Sequence, residues 1–198
     1  MSSPPKQPPV DANATPASAL LDIGLHEKIT AIDPVEGQYP IDKLDAHIHN
    51  VPHVAISIFL FDNEHLLLQQ RAATKYHSAG LWANTVCSHP RWNETPDACA
   101  ERRLMEEMGC SASLSDFGQI DYTAQVGELY ENESVHCFFG QLPQRSLADN
   151  FNPLEVAAIE WLTIPQIVKK IESQPKRFTE WFKIYMAIHR DMIEAIVR

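Results

Sequence analysis

Apolar residues in this chain follow two rhythms. From His53 to Asp62 (HVAISIFLFD) they run almost unbroken, rich in β-branched and aromatic types, between Pro52 and Asn63, and predict a strand. Residues 66–70 repeat the pattern beyond Asp62-Asn63-Glu64, so the two segments predict a hairpin. Residues 134–141 (SVHCFFGQ) and 156–162 (VAAIEWL) read as two more strands. The second rhythm is helical. Thr95-Pro96-Asp97 puts a proline and an acid into a first turn and Gly109 supplies a stop, which predicts a helix between them. A short helix is expected over 164–172 and a final amphipathic helix over about 178–197. A strand-rich middle with one central helix and a helical end is an α/β or α+β arrangement.

The length of 198 residues suits one domain with a real core. The expected organisation is a tail over 1–19 and a single domain over 20–198. The tail, MSSPPKQPPVDANATPASA, is rich in Pro, Ser and Ala and nearly free of charge. It lacks the apolar core of a signal peptide and the arginines of a transit peptide, and reads as disordered. A formal net charge of −10 argues against nucleic acid or an anionic membrane as partner, so basic contacts to an anionic substrate must be gathered in one pocket. No apolar run approaches the roughly 20 residues of a membrane span. Cys87, Cys99, Cys110 and Cys137 show no CxxC pairing, which fits free thiols in a reducing, cytoplasmic compartment. Cys99, Cys110 and Cys137 sit at apolar positions and read as small buried residues. Cys87 differs, because its neighbours are polar.

Candidate metal ligands cluster near strand ends. His47 and His49 lie just ahead of the first predicted strand and His53 begins it; His89 follows Cys87 by two. Glu131 and Glu133 alternate along an extended segment, which puts both carboxylates on one face. A lone histidine is most often a surface or capping group. Three imidazoles with two carboxylates suit Mn²⁺, Zn²⁺ or Fe²⁺. Residues 81–110 (LWANTVCSHPRWNETPDACAERRLMEEMGC) are the densest in chemistry. On their helix, Arg102 and Glu106, and likewise Arg103 and Glu107, stand at i,i+4 spacing; such pairs are either solvated contacts worth a few tenths of a kcal/mol or part of a site.

That stretch fits the Nudix box, G-x5-E-x7-R-E-U-x-E-E-x-G-U with U apolar, at Glu94, Arg102, Leu104, Glu106, Glu107, Gly109 and Cys110. It departs at Ser88, in place of the first glycine, and at Arg103, in place of an acid. Ser88 costs nothing at negative φ and carries strain at positive φ. Cys87-Ser88-His89-Pro90, preceded by Trp82-x-Asn84 and followed by Arg102-Arg103, resembles the type I isopentenyl-diphosphate isomerases from about Lys43 to Trp181. The resemblance implies a Nudix-type α/β/α sandwich with a mixed central sheet. It implies an enzyme that interconverts isopentenyl and dimethylallyl diphosphate by adding a proton at one carbon and removing one at another. It places a divalent metal (Mn²⁺, Zn²⁺ or Mg²⁺) on His47, His53, His89, Glu131 and Glu133, with His49 as an alternative to His47. Lys43, Arg71, Lys75 and Arg103 would grip the diphosphate, and Glu107 would hold a Mg²⁺ bound to it. Cys87 and Glu133, the latter assisted by Tyr122, would handle protons, and Trp181 would face a carbocation-like intermediate. Trp181 and Phe182 equally suit packing of the last helix on the core. The expected partner is a small prenyl diphosphate, and the expected assembly a monomer or weak homodimer. The alternatives are a Nudix hydrolase of a nucleoside diphosphate-linked substrate and a non-catalytic diphosphate-binding module. Arg103 and Cys87 argue against the hydrolase.

Overall fold

The structure, a computed structural model, describes residues 27–197; the tail expected over 1–19 lies outside them. It opens on a hairpin of β1 (Lys28–Asp33) and β2 (Gly37–Asp42), which leads into the short helix α1 (Lys43–Ile48). The sequence pattern makes His53 the start of the first strand, yet these two precede it. β2 is largely exposed at the sheet edge, so it carries little apolar signal, and Pro40 is tolerated there because an edge strand can lose an N–H.

The apolar run His53–Asp62 is β3, buried along nearly its whole length. It pairs with β4 (His65–Arg71) and β6 (Val86–Ser88), antiparallel, and with β8 (Leu129–Gln141), parallel. Strands covered on both faces read as continuous hydrophobic runs, which is why the sequence discloses this one most clearly. Ser88 lies in extended β6 opposite Ile56 and is not among the positive-φ residues, so the missing glycine carries no strain. β4 also pairs with β5 (Trp82–Ala83) and with β9 (Val156–Thr163).

β8 is longer than the segment predicted, and it forms a long hairpin with β7 (Leu114–Val126), which the sequence reading left out. One side of β7 is mostly in water, so its apolar positions are too few to mark it. The β7–β8 register shifts between Asp116 and Gly118, where Phe117 is the extra residue. Leu114, before that bulge, packs in one core; Ile120 and Tyr122, beyond it, pack in the other, although all three have even numbers.

Helices cover both faces of this mixed sheet. α2 (Pro96–Met108) buries Cys99, Ala100, Leu104 and Met108 against Ile56, Ile58 and Leu60. Thr95 caps it by accepting from the Ala98 N–H at 3.3 Å, and Gly109 ends it at φ 64°. A side chain at Gly109 would run into the Asn150 carbonyl oxygen. On the other face, α3 (Ile164–Ser173) and α4 (Glu180–Ile188) pack on Phe59, Phe61 and Val135 through Ile167, Trp181, Phe182 and Tyr185. The single terminal helix expected over 178–197 starts at Glu180 and breaks at His189, after which α5 (Arg190–Val197) follows. The break lets Ile193 reach the core while Ile188 stays 71% exposed. The result is the α/β/α sandwich with a mixed central sheet that the sequence led us to expect.

Candidate active site

Sheet register sets out the first row of the site. His53 on β3 lies opposite Glu133 on β8, and Glu133 lies opposite Tyr122 on β7. The period-2 alternation of β8 then puts Glu131 on the same buried side. α1 carries Lys43 and His47 one turn apart, and His89 follows β6 directly. One ligand atom from each of His47, His53, His89, Glu131 and Glu133 lies within 4.8 Å of all the others, and all five residues are buried. His47 Nε2 is 3.3 Å from Glu131, and His89 Nε2 is 2.8 Å from Glu133 Oε1. His49, the alternative to His47, is exposed and outside the group.

The donor set fits a cation. Nδ1 of His47 and of His53 each lies 2.7 Å from a backbone carbonyl, that of Lys43 and Val51 respectively. A carbonyl only accepts, so Nδ1 carries the hydrogen and Nε2 of each ring presents a lone pair. Both Nε2 atoms are buried without a hydrogen-bond partner. Burial works against ionisation of Glu133, but the His53 imidazole and the Tyr122 hydroxyl, 2.5 Å away, hold its carboxyl below the usual range. Burial drives the His89 and His77 rings well below the ordinary imidazole value.

Beside this cluster a cavity of about 280 Å³ is lined by Lys43, Arg71, Lys75, Arg103, Cys87, Tyr122, Glu133 and Trp181, among others. Burial, together with the nearby charges of Lys75, Arg103 and Arg71, pushes the Lys43 ammonium down to about 8. The Arg71 guanidinium lies over the Trp181 ring at 5.4 Å, and Trp181 is only 3% exposed. Trp181 packs in the core and also lines the cavity. Cys87 reaches the cavity from β6, and burial pushes its thiol up to about 12. Cys99, Cys110 and Cys137 are buried, as their apolar positions predicted.

The box helix divides its two arginines. Arg102 forks onto Glu94 with two bonds of 2.7 Å and reaches Glu106 at 3.0 Å, which ties the preceding loop to α2. Arg103 turns to the cavity side, where it contacts Glu106 and Glu107 at 2.7 Å and Glu155 at 3.2 Å. Glu107 is buried, held at one oxygen by Arg103 and at the other by Gln69 at 3.0 Å, and it does not line the cavity. Sequence reasoning missed several lining residues, Glu155, Tyr76 and His77 among them. Glu155 pairs with both Lys75 and Arg103, and Tyr76 and His77 pack beside His47. Glu155 lies 52 residues from Arg103, and no local pattern signals such a pairing.

The NUDIX domain model matches residues 51–182. An isopentenyl-diphosphate Delta-isomerase of Rhodobacter capsulatus is 44% identical over 156 residues, covering 78% of this chain and 88% of that protein. A crystal structure of DR0079 from Deinococcus radiodurans superposes with a TM-score of 0.60 at 15% identity, over 75% of this chain and 90% of that one. The MutT protein of Methanosarcina mazei superposes with a TM-score of 0.58 at 16% identity, over 73% and 95%. The last two speak for the fold alone. Together with the buried His/Glu cluster and the basic cavity beside it, these likenesses show that the chain belongs to the Nudix family and, within it, to the isopentenyl-diphosphate Delta-isomerases.

Proposed function

We infer that this protein is an isopentenyl-diphosphate Delta-isomerase, which moves the double bond of isopentenyl diphosphate to give dimethylallyl diphosphate. One observation carries the reading beyond family membership. A thiol, Cys87, and a tyrosine-bonded carboxylate, Glu133, open on the same small cavity as four cationic side chains. A cavity of about 280 Å³ lies at the small end of ligand sites, which suits a five-carbon chain with its diphosphate.

Lys43, Arg71, Lys75 and Arg103 bind the diphosphate, the arginines as planar forks and the lysines as point charges. One of Cys87 and Glu133 gives a proton to the alkene and the other removes one from the neighbouring carbon. The tertiary cation between these steps is shielded from water by Tyr122 and Trp181, whose ring faces favour positive charge. The Tyr122 hydroxyl holds Glu133 in place through its 2.5 Å bond. His47, His53, His89, Glu131 and Glu133 would hold one divalent cation (Mn²⁺, Zn²⁺ or Mg²⁺), whose charge keeps Glu133 ionised and oriented. A Mg²⁺ on Glu107 that neutralises the diphosphate would need one of its oxygens released from Arg103 or Gln69, which hold both of them here. The hydrolase alternative needs a free acidic face on the box helix. Here Arg103 occupies that face and engages Glu106 and Glu107.

The test is proton NMR of the pure protein with isopentenyl diphosphate, Mg²⁺ and Mn²⁺ in D₂O. Deuterated dimethylallyl diphosphate without free phosphate is expected, and Cys87→Ala should abolish its formation with folding and metal content intact. Phosphate release, or full turnover by Cys87→Ala, would overturn the reading.

A further inference from the structure

Behind Cys87, away from the cavity, stand three buried polar side chains that the chemistry above does not use. Asn84 and Ser57 lie 3.0 Å and 3.3 Å from Sγ, and the Tyr185 hydroxyl is 2.9 Å from Ser57 Oγ. Asn84 is 0%, Ser57 1% and Tyr185 0% exposed, and none lines the cavity.

The directions of these bonds follow from one end. The Asn84 amide nitrogen lies 3.1 Å from the Ile58 carbonyl and 3.2 Å from that of Val86. Carbonyls only accept, so the amide cannot flip, and Asn84 Oδ1 must be the atom that faces the sulfur. Oδ1 is an acceptor, so the Cys87 S–H points at it. The sulfur then has no hydrogen left for Ser57, and Ser57 must donate to Sγ. Ser57 Oγ has spent its own hydrogen, and so it accepts from the Tyr185 O–H.

We propose that Tyr185 is a positioning residue for Cys87. Acting through Ser57, it fixes where the hydrogen and lone pairs of the sulfur point at the cavity wall. The chain runs one way, from the Tyr185 O–H to Ser57, to the Cys87 sulfur and to Asn84 Oδ1, and two backbone carbonyls anchor its end. Burial preserves this order, because no water competes for Ser57 or Tyr185. The ring of Tyr185 also meets that of Tyr122 edge-on at 5.9 Å, a contact that Tyr185→Phe retains, so this substitution isolates the hydroxyl.

The inference rests on the isomerase reading for its kinetic consequence alone, and two measurements on the metal-loaded protein separate the two. The first is the infrared S–H stretch of Cys87, isolated as the difference between wild type and Cys87→Ala. It needs no turnover. Tyr185→Phe and Ser57→Ala should both shift this band; an unmoved band in Tyr185→Phe overturns the proposal. The second is steady-state turnover of isopentenyl diphosphate, where an inactive wild type would count against the isomerase reading and leave the infrared result standing. Tyr185→Phe should lower kcat about five-fold, as the loss of one hydrogen bond behind the reacting group implies, with KM unchanged. Ser57→Ala should lower kcat at least as far, and the double variant should match Ser57→Ala alone. Unchanged kcat in Tyr185→Phe, or effects that multiply in the double variant, would overturn the relay. Should Ser57→Ala not fold, Tyr185→Phe, which removes one oxygen, decides the matter by itself.

Discussion

Lys43 offers the sharpest pH test of the cavity. Its ammonium is pushed down to about 8, burial being the first cause and Lys75, Arg103 and Arg71 adding to it. Relative to the plateau below pH 7, the charged fraction is about one half at pH 8 and about one tenth at pH 9. If Lys43 grips the diphosphate, kcat/KM should follow that fraction and fall about ten-fold by pH 9. The other cavity groups with resolved shifts titrate elsewhere, with Cys87 near 12, Tyr76 and Tyr122 raised, and His77 and His89 well below neutrality. Loss of folding would produce a similar limb, but linkage separates the two. The folded value lies below the unfolded 10.5, so between about 8 and 10.5 the unfolded chain binds more protons. The Lys43 contribution to stability therefore rises with pH across this window, while activity falls. Activity and Tm recorded on the same samples from pH 6.5 to 9.5 distinguish these causes. Lys43→Arg keeps its charge throughout and should remove the limb. A flat wild-type profile, or an unaltered limb in Lys43→Arg, would refute the reasoning.

Two further outcomes are expected. Metal at the His/Glu cluster binds the folded chain, so a chelator should lower Tm; cation at a hundred-fold excess over its Kd contributes about 2.7 kcal/mol, or roughly 5–10 °C here. Zn²⁺ or Mn²⁺ should restore the transition in wild type and do so less well in Glu133→Gln; a Tm indifferent to both ions would remove the cluster as a metal site. Gly109→Ala combines left-handed strain with collision against Asn150, and should cost at least about 2 kcal/mol and lower the thermal midpoint by roughly 4–8 °C. An unshifted midpoint in a thermal melt would contradict that account.

What the sequence disclosed depended on where its information is local. α2 was legible because proline, the capping threonine and the closing glycine all lie within its own span. β3 was legible because burial on both faces leaves an unbroken apolar word. β7 and the β1–β2 hairpin were not, since each keeps much of its length in water. The break at His189 escaped because the amphipathic pattern continues through it, and only the burial of Ile193 against Ile188 shows the turn. Within the site, the five candidate ligands were readable as residue types and through a family likeness. Their meeting within 4.8 Å depends on a β3–β8 register that no short window contains. Glu155 beside Arg103 and Tyr185 beside Ser57 are contacts between segments 52 and 128 residues apart, joined only when the sheet and helices assemble.

The extra residue Phe117 gives strand β7 a second consequence. Leu114 and Tyr122 are eight positions apart, and an unbroken strand would send both side chains to the same face. With one residue added between them, Leu114 serves the core under α2 while Tyr122 turns to Glu133. The two ends of one strand thus behave as separate parts joined by a half-turn coupling. The register shift between Asp116 and Gly118 separates the Leu114 end of the strand from the pairing of Tyr122 with Glu133. Excising the coupling itself would force a choice, because restoring the core contact of Leu114 would turn the Tyr122 hydroxyl away from the carboxylate it steadies.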